Sequence, residues 1–276
     1  MTRLKTGDIA NIAQGLDDYD TLLLARTGLT LRGIACRAAG IDEAEALALI
    51  KARKVYAVPM TCGEGLIGGF SEALCGIAAH LGFRASVAGR TDVAGLAEAF
   101  QQGADILLTA DDFRFVAINT GSGRVVDNAE ATGRGFVAGL ARMAGGLNNA
   151  SVLVIGCGAV GGGAALALGR MGASVAVYDI REDRCRDLAI RASEVQGIAL
   201  CIEKDLPGAL RKYRTIIDAT PEENLIDETF ITPETYIALP GVPSGLTPGA
   251  RQRLKTRCLH DPLQIGVATM LLEAIQ

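Results

Sequence analysis

The stretch SVLVIGCGAVGGGAALALGRMGASVAVYD, residues 151–179, decides the fold. An apolar run of β-formers (151–155) passes directly into Gly156-Cys157-Gly158-Ala159-Val160-Gly161, then into a run of helix-forming alanines and leucines. A second apolar run, 174–178, ends on Asp179. Three glycines at this spacing are a weak signal in a chain with 34 of them. Here they follow a strand and open a helix, and an acid stands 23 residues after Gly156, which is the full context the motif requires. Gly156 permits the tight turn out of the strand, Gly158 lets backbone approach a pyrophosphate, and Gly161 lets the helix pack closely on the strand. The pyrophosphate then meets unpaired N–H groups at a helix N-terminus. The prediction is a Rossmann dinucleotide-binding unit, with Gly156, Gly158, Ala159, Val160 and Gly161 around the phosphates. Asp179, Ile180 and Arg181 belong on the adenosine side. A carboxylate there binds ribose hydroxyls and repels a 2′-phosphate, which favours NAD over NADP. Flavin and S-adenosylmethionine, which use related loops, are the competing ligands.

Outward toward the C-terminus, helix and strand alternate: a helix over 181–195, a strand GIALCI, a short helix LPGALRKY, strands at 215–220 and 235–241, and an apolar helix ending ATMLLEAI. That order predicts a parallel sheet. Ala219, Thr220 and Pro221 end one strand, and Pro240 and Gly241 end the next. Ligands of open α/β sheets lie outside the carboxyl ends of the strands, so both loops should face the nicotinamide and the substrate.

Outward toward the N-terminus, the alternation continues in a second layer. Ile9, Ile12, Leu16, Leu23 and Leu24 predict one amphipathic helix over 6–26, with Thr6 as its cap. A helix at 42–52, a strand at 55–60, the bend TCGEGLIGGF, two more helix–strand alternations and a hairpin around Gly121-Ser122-Gly123 follow. The fold class is thus α/β in two domains: a substrate-binding unit over 1–130, a connecting helix and hinge over 131–149, and a Rossmann domain over 150–276. Three polar clusters follow apolar strands in the first unit: Thr61-Cys62-Gly63-Glu64-Gly65, Asp111-Asp112 and Asp127-Asn128. Adjacent carboxylates suit a cationic amine, although each singly reads equally well as a helix cap or turn. Cys62 lacks a neighbouring histidine that would make it a nucleophile. His260, beside Asp261, reads as a structural histidine.

Composition narrows the partners. The 276 residues carry 27 basic and 31 acidic side chains, a net charge of −4 without a polybasic stretch, so neither nucleic acid nor a membrane surface is expected. Seven cysteines without a CxxC pair, and no signal peptide read at the start, predict reduced thiols in a cytoplasmic protein. With two histidines, no metal site is expected. A small molecule is the expected partner, and the oligomeric state stays open, a homodimer included.

The segments RTGLTLRGI, VPMTCGEGLIGGFSEAL, ILLTADDFRFVAIN, VLVIGCGAVG, DATPEENLI, LPGVPSGLT and DPLQIGVATMLL carry a resemblance. In these strings, their order and their spacing, the chain resembles the pyrrolysine synthase family over nearly its whole length. The resemblance implies NAD as oxidant and L-lysine-Nε-3R-methyl-D-ornithine as substrate, whose terminal amine is oxidised with loss of ammonia and closure of a pyrroline ring. It places the substrate pocket on Leu4, Thr61, Cys62, Phe70, Asp111 and Asn128. Cys62 stands where the family has serine, Glu64 where it has asparagine, and Asp261 where it has an acid before the final proline. Hydride leaves an amine-bearing carbon only with a nitrogen lone pair to push it, so Asp111 is the candidate catalytic residue, as base or as anchor. An N-terminal helix carrying Leu4 would make a mobile lid. Two other readings compete: a shikimate-dehydrogenase-like or dipicolinate-synthase-like enzyme, for which a Lys–Asp pair is missing, and a non-catalytic NAD-binding regulatory module.

Overall fold

A computed structural model describes residues 4–276. The stretch 151–179 folds as read. Strand β6 (Ser151–Ile155) leads into helix α8 (Ala159–Arg170) and strand β7 (Ser174–Tyr178). Strands β8 (Leu200–Ile202), β9 (Thr215–Asp218), β10 (Tyr236–Leu239) and β11 (Cys258–His260) complete a six-stranded sheet in the order β11-β10-β9-β6-β7-β8. All five pairings are parallel. The order reverses at β6, so β6 and β9 flank the switch point where such sheets bind dinucleotides. Apart from the edge strand β8, the strands are largely buried and therefore read as unbroken apolar runs. Helix α9 (Glu182–Gln196) joins β7 to β8, and α10 (Leu206–Lys212) joins β8 to β9.

The first sheet mixes directions. Strand β1 (Lys54–Val58) pairs in parallel with β2 (Arg84–Val87) and β3 (Ile106–Ala110). An antiparallel hairpin, β4 (Phe115–Asn119) and β5 (Val125–Asp127), extends it beyond β3. Helices α5 (Phe70–Leu81) and α6 (Asp92–Gln101) connect its parallel strands.

Three differences from the sequence reading have physical causes. The single helix expected over 6–26 is broken into α1 (Thr6–Ile9), a 3-10 turn (Ala13–Gly15) and α2 (Leu16–Thr27). Gly15 is the point of tightening: its N–H is shared between the carbonyls of Asn11 and Ile12, a bifurcation typical of helix ends. Thr6 is not the cap; Lys5 is, and its N–H donates to Asp8 at 2.7 Å. Helix α3 (Leu31–Ala39), capped by the Thr30 hydroxyl, and α11 (Pro248–Leu254), between β10 and β11, occupy segments with no predicted element, whereas α4 (Glu43–Ile50) fills most of the helix expected over 42–52. The connecting helix α7 starts earlier than residue 131, at Asn128, because the Asp127 carboxylate caps it through the Ala129 N–H.

The last helix, α12 (Gln264–Ala274), belongs by sequence order to residues 150–276, yet it packs against α7, α3 and α5 and against the β4–β5 hairpin. Every one of its residues is buried. An ion pair of Arg134 on α7 with Glu273 on α12, both contacts 2.6 Å, fixes the two helices together. Helix α7 (Asn128–Met143) crosses α8 closely: a Cβ on Gly133 would lie 2.3 Å from the Val160 carbonyl oxygen. This contact sets the phosphate loop beside the strand ends of the first sheet. Helix α2 ties the layers further, since Arg26 donates to the Cys258 carbonyl at 2.7 Å.

Candidate active site

The two sheets face each other across a cavity of about 610 Å³. One wall is the dinucleotide side: Gly158, Ala159, Val160, the 219–221 loop and the 240–242 loop. The other wall comes from the first unit and includes Leu4, Met60, Cys62, Phe70, Asp111, Phe113 and Asn128. Pro262 and Leu263, before α12, close the back. The loops expected to meet at the carboxyl edges of both sheets therefore do meet.

The phosphate loop fits a dinucleotide on geometric grounds. Gly156 holds φ +89°, open to glycine and strained for other residues. A Cβ on Gly161 would lie 1.8 Å from the Gly156 carbonyl oxygen, so no side chain fits there. Gly158, by contrast, faces open space, with nothing within 4 Å of a Cβ built on it. It is the cap of α8, whose first turn has no acidic residue and no side-chain cap, which leaves its N–H groups for an anion. Asp179 accepts from the Cys157 N–H at 2.8 Å and the Arg181 N–H at 2.9 Å. Those backbone donors fix the carboxylate and leave its remaining lone pairs for ribose hydroxyls. Arg181 is held by Asp183 at 2.6 Å, and Ile180 is 92% exposed beside it. A 2′-phosphate would meet Asp179 and Asp183 around a guanidinium already engaged. Beneath the loop, the Cys157 and Cys185 thiols lie 3.4 Å apart, and burial pushes the Cys157 thiol up, away from thiolate chemistry.

On the substrate side, the site residues separate. Leu4, Cys62, Phe70, Asp111 and Asn128 line the cavity together. Phe70, at the start of α5, stacks edge-on against Phe115 at 5.5 Å, which holds the apolar wall in place. Asn128 sits in the first turn of α7, nearly fully buried, and its Nδ2 has no hydrogen-bond partner. A buried amide donor left open costs stability unless a ligand satisfies it. Thr61 departs from expectation. Its N–H and hydroxyl both donate to Asp92, at 2.8 and 2.7 Å, and it does not reach the cavity. Asp92 at φ +54° turns its side chain back onto that loop, so the Thr61 hydroxyl serves the loop's shape.

Asp111 and Asp112 also divide their work. Asp111 Oδ1 accepts from the N–H groups of Phe113 (2.8 Å) and Arg114 (2.7 Å), closing the turn between β3 and β4. Those backbone donors, Arg114's first, hold its carboxyl below the usual range. Asp112 accepts from the Glu64 N–H at 2.8 Å and so ties the 61–65 loop to the same turn. His260 donates through Nδ1–H to the Leu239 carbonyl, 2.8 Å away, and is not among the residues lining the cavity. Asp261 accepts from the Tyr19 hydroxyl at 2.5 Å and from the Leu263 N–H at 2.9 Å. Burial pushes its carboxyl up, and the Tyr19 hydroxyl with it. The pair anchors α2 to the back wall of the cavity.

Sequence reasoning passed over Met60, Phe113 and Leu263 in the wall, and Asp218 behind it. Only Asp218 had a signal: an acid inside the apolar run of β9.

Residues 8–126 match the family described as pyrrolysine biosynthesis protein PylD, N-terminal domain, and residues 125–221 match the C-terminal domain of alanine dehydrogenase/PNT. Pyrrolysine synthase of Methanosarcina barkeri is 34% identical over 98% of this chain and 97% of its own. The enzyme of that name from Methanosarcina acetivorans is 31% identical over 98% of each chain. The chain belongs to the pyrrolysine synthase family. Among solved structures, quinate dehydrogenase from Corynebacterium glutamicum in complex with NAD superposes with a TM-score of 0.58 at 16% identity, over 81% of this chain and 94% of that one. Shikimate dehydrogenase from Aquifex aeolicus gives 0.54 at 16% identity, over 80% and 90%. Those two likenesses are of fold alone. As a member of the pyrrolysine synthase family with this dinucleotide loop, the chain is an NAD-dependent dehydrogenase, and no helix among its described residues is long and apolar enough to cross a membrane.

Proposed function

We propose that the protein oxidises the terminal amine of L-lysine-Nε-3R-methyl-D-ornithine with NAD and closes the product to pyrrolysine with loss of ammonia. The carrying observation is the charge of the cavity. Glu64, Asp111, Asp112 and Asp127 line it; Asp127 is paired with Arg114 at 3.2 Å, and no lysine or arginine among the described residues is itself part of the lining. Such a wall suits an amine and disfavours a hydroxy-acid that needs a Lys–Asp pair. The names of the two Methanosarcina relatives point to the same reaction.

Gly156, Gly158, Ala159, Val160, Gly161 and Asp179, with the 219–221 and 240–241 loops, would hold NAD, which would supply the hydride acceptor. The substrate amine, once neutral, gives up hydride from its carbon and becomes an iminium. Water adds, ammonium leaves, and the second ornithine amine attacks the resulting aldehyde, expelling water to form the ring. Asp111 acts as an anchor. A carboxyl held low by two N–H groups is a weak base, yet its charge favours the cation both before and after hydride transfer. The Asn128 Nδ2 donor and the Leu4 and Phe70 surfaces orient the rest of the chain. Leu4, just ahead of α1, sits in the wall as an N-terminal lid would.

The test compares NADH absorbance on mixing protein and NAD with Nε-D-ornithyl-L-lysine and, separately, with shikimate. Turnover with the ornithyl-lysine alone supports the reading. Turnover with shikimate alone, or with neither while NAD still binds, overturns it.

A further inference from the structure

Asp218 is the carboxylate that the reaction above leaves unused. It ends β9 beside Ile155 at the sheet's switch point and is 1% exposed. Its Oδ1 accepts from the Thr220 hydroxyl at 2.7 Å and from the Thr220 N–H at 3.1 Å. Its Oδ2 is buried without a hydrogen-bond partner. The backbone of Gly245 passes so close that a Cβ there would lie 2.1 Å from Oδ2, so a carboxylate-sized group is accommodated by design of the neighbouring loop. Burying an acid at a strand end with one oxygen unsatisfied costs stability, and no ion pair among the described residues offsets it.

Thr220 explains what the arrangement does. It lines the cavity on the dinucleotide wall, two residues from Asp218. A hydroxyl has one proton and two lone pairs. With the proton committed to Asp218, the Thr220 oxygen is left as an acceptor. Its other contact is a long one, 3.5 Å from the Glu222 N–H. We infer that Asp218 is a positioning residue that fixes the Thr220 hydroxyl as an acceptor for an N–H or O–H donor on the nicotinamide half of NAD. The inference rests on the dinucleotide reading of this cleft.

The protonation state of Asp218 is then felt at the cofactor. Burial pushes its carboxyl up to about 6, against the lowering effect of the Thr220 bonds. Glu222 on the same loop pushes the same way, while β6 presents Ile155 and the facing loop Gly245, neither titratable. Once protonated, Asp218 is a weaker acceptor at Oδ1 than the carboxylate is, so it holds the Thr220 proton less firmly and the hydroxyl is less strictly kept as an acceptor. Asp218→Asn can place its Oδ1 where Thr220 needs it and its amide at the unpartnered oxygen, so it keeps the orientation without the titration.

The experiment is equilibrium NAD binding, followed by fluorescence or calorimetry, with no substrate present. Thr220→Val should weaken NAD by about three- to tenfold, the worth of one hydrogen bond, and Thr220→Ser should restore it. Asp218→Ala should weaken it to the same degree, with no further loss when combined with Thr220→Val. Wild-type affinity should fall by a similar factor between about pH 7.5 and about pH 5.5, while Asp218→Asn stays flat. Circular dichroism on each variant excludes unfolding as the cause. Unchanged NAD binding in Thr220→Val, additive losses, or the same pH response in Asp218→Asn would each overturn the inference and leave the cofactor reading standing. A wild-type protein that binds no NAD removes both.

Discussion

The phosphate loop of the second sheet and the acidic turn of the first face each other across one cavity, but they are built on opposite logics. Residues 156–161 work through backbone: a positive φ at Gly156, a carbonyl that a Cβ on Gly161 would strike, open space above Gly158. The 61–65 loop and the Asp111-Asp112 turn work through side chains, and neighbours there do different jobs. Asp111 closes a turn and faces the cavity, Asp112 ties down the loop, and Thr61 turns away to Asp92. Backbone-built sites tolerate almost no substitution at their glycines. Side-chain-built sites lose one contact at a time.

That contrast orders the expected effects. Gly161→Val drives a side chain into the Gly156 carbonyl and should weaken NAD binding by about a hundredfold or more, as overpacking against rigid backbone does; binding within tenfold of wild type would break the contrast. Asp111→Asn keeps shape and removes charge. KM for the ornithyl-lysine should rise by about thirtyfold with kcat changed far less, in steady-state kinetics, because an anchor acts on bound cation. A selective loss of kcat would make Asp111 the base instead. Asp179→Ala should weaken NAD by about tenfold and narrow the preference over NADP, measured by titration with each.

Stability sharpens the comparison further. The folded Asp218 carboxyl is raised above its unfolded value near 4, so the fold favours the protonated form. Its contribution is full at low pH and is lost as pH rises from about 4 through about 6. Asp218→Asn escapes that loss and should be more stable than wild type by up to about 3 kcal/mol above pH 7, with the gap closing below about pH 4, in denaturant titrations. The smallest effect is expected at Thr61. Thr61→Val should leave KM within about twofold, as for a surface residue remote from the ligand.

The sequence carried the dinucleotide side almost completely, because strand, glycine spacing and terminal acid each express a local backbone requirement. It carried less where tertiary packing decides. Helix α3 turns Leu31, Gly33, Ile34, Ala35 and Cys36 toward the core and keeps its two arginines off that face, but it spans only nine residues between glycines, too short a stretch for its periodicity to stand out. Helix α12 is apolar all round, which signals burial on every side but not which layer provides it; α7, α3 and α5 do. Within the site, Leu4, Cys62, Phe70, Asp111 and Asn128 line one cavity. Thr61 does not, since adjacency to Cys62 in sequence fixes nothing about where a loop hydroxyl points. Asp218 shows the converse: its role depends on a partner, Thr220, whose hydroxyl direction no pattern encodes.

The most direct test of the central claim uses Nε-D-ornithyl-L-lysine labelled with nitrogen-15 at the terminal amine of the ornithine part. Protein and NAD are added, NADH is followed by absorbance, and ammonium and product are analysed by mass spectrometry. The account predicts labelled ammonium and NADH in equal amounts, with an unlabelled, cyclised product. NADH formed while the label stays in the product would mean that another carbon is oxidised, and would contradict it.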